Sequence, residues 1–100
     1  MAKKVTLVHT TPVAVGPVND AFREIYPEAD VRNILDDRLL SDLQAVDGEF
    51  TPGLRRRLDK LIEYSESSGA DAILLTCNSY SKVALPIAAL VDVPLFRADD

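Results

Sequence analysis

A chain of 100 residues and 11.0 kDa has room for one small domain and no more. Hydrophobic residues make up 47% of it and charged residues 27%, a profile that excludes a disordered segment. The 11 basic and 16 acidic residues leave a net charge of −5, the wrong sign for a nucleic-acid surface.

Lys3 and Lys4 precede the first apolar run, Val5-Thr6-Leu7-Val8, which reads as a strand. His9, Thr10, Thr11 and Pro12 close that run too early for a signal peptide. Gly16 stands alone in Pro12-Val13-Ala14-Val15-Gly16-Pro17 and matches neither a dinucleotide fingerprint nor a P-loop. A helix is expected over about Pro17 to Tyr26, with Val18, Phe22 and Ile25 inward and Pro27 as its stop. Val31-Arg32-Asn33-Ile34-Leu35 is the second strand, closed by Asp36-Asp37. From Asp37 to Phe50 the pattern is weaker. Leu39, Leu40 and Leu43 are enough for one or two helical turns inside an otherwise long loop.

Thr51 followed by Pro52 is a helix N-cap with proline at the first helical position. Leu54, Leu58, Leu61, Ile62 and Ser65 then share one face, and Gly69 falls where a helix terminator belongs. Arg55-Arg56-Arg57, followed by Asp59, Glu63 and Glu66, reads as the solvated face of this helix. Ala72-Ile73-Leu74-Leu75 is the third and most apolar strand, ending at Thr76-Cys77-Asn78-Ser79. A last helix is expected from about Tyr80 to Leu90, kinked or divided at Pro86. Val93-Pro94-Leu95-Phe96 is the fourth strand, placed at an edge or at a strand start by its proline. No stretch approaches the ~18 apolar residues that span a bilayer. One cysteine and one histidine can form neither an internal disulfide nor a structural zinc site, so no metal is expected. A cytoplasmic location follows from these absences.

Strands alternating with helices make βαβ units, hence an α/β fold with a parallel sheet of about four strands and helices on both faces. Such sheets bind ligands beyond the carboxyl ends of their strands. Three polar clusters fall there: His9-Thr10-Thr11, Asp36-Asp37 and Thr76 to Ser79. One site lined by all three is therefore expected. Cys77 is its strongest chemical candidate, since a helix N-terminus after a buried strand stabilises a thiolate. The alternative is a buried cysteine packed as a small hydrophobe. Thr76, Asn78 and Ser79 suit a carboxylate ligand. His9 can donate a proton or orient a ligand, or it can be a satisfied loop histidine. Thr10 and Thr11 can bind an anion or start a turn. Asp36-Asp37 can hold an ammonium group or a cation, but a turn that caps the Leu39–Leu43 segment is the favoured reading.

The stretch from Ala72 to Phe96, with Thr-Cys-Asn-Ser after a buried strand, then Leu-Pro in a helix and Val-Pro-Leu-Phe in a strand, resembles the amino-terminal half of the aspartate/glutamate racemase superfamily. Val8-His9-Thr10-Thr11-Pro12-Val13 and Leu35-Asp36-Asp37 resemble loops of its less characterised members, so the likeness runs over essentially the whole chain. It implies a Rossmann-like or flavodoxin-like half of a two-domain, cofactor-independent isomerase. In such an enzyme one cysteine thiolate removes the α-proton of an amino acid or related acid, and a second returns a proton on the opposite face. By this resemblance Cys77 is one acid/base, Thr76, Asn78 and Ser79 help hold the substrate carboxylate, and His9, Thr10 and Thr11 line the pocket. His9-Thr10 stands where glutamate racemases carry Asp-Ser, which leaves the amino acid open. Family members have two pseudo-symmetric halves, each with one cysteine, whereas this chain has one cysteine and reads as one half. The partner is then a second racemase half or a second copy forming a homodimer, with no nucleic acid and no membrane. A non-catalytic α/β module that binds a small carboxylate is the alternative. A decarboxylase of the arylmalonate type is a third reading, disfavoured because those enzymes keep their single cysteine in the other half.

Overall fold

A computed structural model describes residues 3–49, 51–76 and 91–97. The chain runs β1 (Lys4–His9), a 3-10 turn (Pro12–Ala14), α1 (Val15–Ile25), β2 (Asp30–Leu35), α2 (Leu39–Ala45), α3 (Pro52–Ser67), β3 (Ala72–Leu75) and β4 (Leu95–Arg97). The four strands form one parallel sheet in the order β2-β1-β3-β4.

β2 and β3 flank β1 on opposite sides, so two crossovers of the same hand must pass over opposite faces of the sheet. They do. α2 and α3 bury Leu39, Leu43, Leu54, Leu58 and Ile62 against Val8, Ile73 and Leu75 of the sheet. α1 lies on the other face, where Asn19 reaches Asn33 of β2 and Phe22 borders Leu74 of β3. Alternation along β1 sends Thr6, Val8 and Thr10 toward α3, and Val5, Leu7 and His9 toward α1.

The elements form where the local chemistry places them, with four differences from the sequence reading, the first being that Ile25, expected inward on α1, is 83% exposed. α1 begins at Val15, so Pro17 sits inside the first turn, where its missing N–H would have had no helical partner. The Asp37–Phe50 segment holds a true helix, α2, which buries Leu39 and Leu43. Asp47 and Gly48, both at positive φ (56° and 79°), end its continuation, with Gly48 N–H donating to the Leu43 carbonyl at 2.9 Å. β4 begins at Leu95 because Pro94 has only a carbonyl to offer, and that carbonyl accepts from Ile73 N–H at 2.9 Å. α3 matches its reading: the Thr51 hydroxyl accepts from Leu54 N–H at 3.2 Å. At its other end Gly69, at φ +103°, turns the chain while Gly69 N–H and Ala70 N–H cap the carbonyls of Glu66 and Ser65. The expected Tyr80–Leu90 helix lies outside the described residues.

Candidate functional site

The topological switch point of this sheet lies between β1 and β3, where the chain leaves for opposite sides. β1 ends there on His9 and β3 hands over there to Thr76. Thr76 N–H donates to the Val8 carbonyl at 3.1 Å, extending the ladder one step past β3. Cys77, Asn78 and Ser79 follow directly in sequence and lie outside the described residues.

His9 is fully buried, and both ring nitrogens are engaged. Nδ1 lies 2.9 Å from the Thr76 hydroxyl and Nε2 lies 2.8 Å from Asn33 Oδ1. Asn33 pairs in both directions with Asn19 of α1, at 2.8 and 3.0 Å, and Asn19 also donates to the Val15 carbonyl at 2.7 Å. The result is a polar thread from the first turn of α1, through β2 and β1, to the last residue before Cys77. Sequence reasoning named His9 and Thr76, the two members of the thread nearest β3, and missed Asn33 and Asn19. The available signal was an asparagine inside the strand Val31 to Leu35, a residue that strands disfavour.

Of the remaining candidates, Thr10 is fully buried toward α3, and its hydroxyl has no hydrogen-bond partner among the described residues. Thr11 opens the 3-10 turn without a side-chain cap bond. Asp36 meets the site through its backbone alone: its N–H donates to the His9 carbonyl at 3.0 Å. Its carboxylate accepts from Arg38 N–H at 3.0 Å, closing the turn before α2, and from Arg57 Nη2 at 3.0 and 3.1 Å. Arg57 also donates to Asp42 of α2. Its guanidinium pKa is raised above the ordinary value, chiefly by the Asp42 hydrogen bond, with burial opposing and Asp36 adding to the rise. Arg57 is thus not part of a purely solvated face. It clamps the β2–α2 turn, α2 and α3 together. The three expected clusters therefore separate. His9 and Thr76 meet side chain to side chain, while the Asp36 carboxylate is committed to the fold.

Among the described residues no cluster of three or more histidine, cysteine or carboxylate groups is arranged to hold a metal ion. No described helix is long and apolar enough to cross a membrane. No protein-family model and no curated protein matches the sequence.

Beside α1 the described residues leave an apolar strip of the sheet open. Phe96 is 50% exposed and Ile25 83% exposed, and two adjoining hollows of about 460 and 500 Å³ lie between α1 and β3–β4, both lined by Phe22, Tyr26 and Leu74. Parallel sheets are ordinarily covered on both faces.

Proposed function

We propose that this chain is the amino-terminal half of a cofactor-independent, cysteine-dependent racemase or isomerase that acts on an amino acid or related carboxylic acid. The observation that carries the reading is the position of Thr76. It leaves β3 at the switch point, where sheets of this order bind their ligands, tied to β1 through His9, and Cys77 is the next residue in the sequence. A thiolate there removes the α-proton: the C–H bond breaks, an S–H bond forms, and the electron pair spreads into the substrate carboxylate. Asn78 and Ser79 supply hydrogen bonds to that carboxylate, with Thr11 at the rim. No cofactor takes part.

One thiol can only return a proton to the face it came from. Inversion needs a second acid/base on the opposite face, supplied by a second half or a second copy. The open apolar strip beside α1 supports such a partner. A single copy is accordingly not expected to racemise, and the activity belongs to the complete assembly.

The test is incubation of the purified protein with amino acids in deuterated water, followed by mass spectrometry of the substrate. Loss of α-deuterium uptake on Cys77→Ser supports the assignment, and uptake that survives the substitution removes it. Binding of a carboxylate with no exchange by any assembly favours the alternative, a carboxylate-binding module.

A further inference from the structure

The thread from α1 to Thr76 has only one consistent hydrogen-bond polarity. Asn19 Nδ2 points at the Val15 carbonyl, which fixes the Asn19 amide, since its oxygen there would face another oxygen. The reciprocal pair then fixes Asn33, whose Oδ1 faces Asn19 Nδ2. That same Oδ1 lies 2.8 Å from His9 Nε2, so Nε2 carries a proton and donates. Nδ1 is left as the acceptor. The Thr76 hydroxyl stands 2.9 Å from it and 3.3 Å from the Val8 carbonyl, which already accepts from Thr76 N–H. The shorter contact takes the hydroxyl proton. Both partners of the buried ring are neutral groups.

We infer that His9 is a positioning residue that, as its Nε2–H tautomer, holds the Thr76 hydroxyl proton and leaves the Thr76 oxygen able only to accept a hydrogen bond. A ligand at the switch point then finds at Thr76 a partner for an ammonium or hydroxyl group, and not for its carboxylate. This ligand preference rests on the proposed location of the site. The tautomer does not.

The chain has a single histidine and a single cysteine, so both readouts are free of overlap. A long-range proton–nitrogen NMR spectrum of the ¹⁵N-labelled protein reads the tautomer directly. Protonation at Nε2 alone is expected, and a proton on Nδ1, with or without one on Nε2, overturns the inference. Two variants then separate positioning from packing. His9→Asn keeps an acceptor near the place of Nδ1, whereas His9→Gln keeps a donor near the place of Nε2. With circular dichroism confirming the fold of each, the native alkylation rate of Cys77 is expected to stay within about twofold in His9→Asn. In His9→Gln it should change by about three- to tenfold, the range a neutral hydrogen bond supplies. Equal effects in both reduce His9 to filler. Should either variant not fold, Thr76→Ser against Thr76→Val makes the same comparison from the other side.

For the ligand, L-glutamate and glutarate serve as probes that differ in the α-ammonium group. Glutamate is expected to protect Cys77 from alkylation at about tenfold lower concentration than glutarate, as one charge-assisted hydrogen bond allows, and Thr76→Val should erase the difference. Equal protection by the two overturns the preference and leaves the proposed function standing. Protection by neither overturns the preference and the site location together, with the tautomer result unaffected.

Discussion

Replacing Asp36 with asparagine tests whether this carboxylate is a ligand group or a structural one. Asp36 accepts from Arg57 through both oxygens at 3.0 and 3.1 Å, and Arg57 reaches on to Asp42. The side chains are 36%, 24% and 32% exposed for Arg57, Asp36 and Asp42, so solvent screens these pairs and each is worth at most about 1 kcal/mol. Asp36→Asn removes one pair and keeps an amide oxygen for Arg38 N–H, an expected loss of roughly 0.5–1 kcal/mol. Arg57→Met removes both pairs and leaves two carboxylates facing each other, an expected loss of roughly 1–2 kcal/mol. In a domain of this size that lowers Tm by about 5–15 °C. Thermal and urea unfolding of the two single variants and the double variant gives the coupling energy, expected at about 0.5–1 kcal/mol and smaller in 1 M salt. The reasoning fails if Asp36→Asn leaves Tm unchanged yet abolishes protection of Cys77 by an amino acid. That result would make Asp36 the ammonium-binding group.

Three further outcomes are expected. Leu58 is fully buried between α3 and the sheet, so Leu58→Ala should cost about 2–5 kcal/mol in urea unfolding, and a loss below about 1 kcal/mol would contradict the packing described. Arg32 holds the Asp30 carboxyl below its usual pKa, chiefly by a hydrogen bond. A depressed native pKa adds stability above the unfolded value and loses it as pH falls through the native one, so Arg32→Ala should raise the Asp30 titration midpoint in carbon-detected NMR. Finally, Phe96→Glu places a charge on the open apolar strip and should lower self-association in sedimentation velocity without changing the circular dichroism spectrum.

Much of this architecture was legible because its signals are local. Three strands are short apolar runs, α3 carries its own cap and terminator, and strand–helix alternation implies a parallel sheet with ligands at its carboxyl end. What was illegible depends on partners distant in sequence. Asp36 reads by preference as a turn residue, but the ligand reading stays open until Arg57, 21 positions away, is seen to claim its carboxylate. Arg57 itself sits in a basic run whose neighbours Arg55 and Arg56 are exposed, and only the geometry of α2 separates it from them. α2 was hard to place because a seven-residue helix contributes few apolar positions. Asn33 is an unremarked member of its strand in the sequence, and its purpose appears only when β1 lies beside it and α1 above it.

The central claim is that Cys77 acts as an acid/base on a substrate α-carbon. The most direct measurement is α-deuterium incorporation into amino acids by the wild-type protein and by Cys77→Ser, at matched concentration and oligomeric state. Incorporation by the wild type and its loss in Cys77→Ser is the predicted result. Equal incorporation by both proteins, or none by either while glutamate still protects Cys77 from alkylation, would contradict the claim.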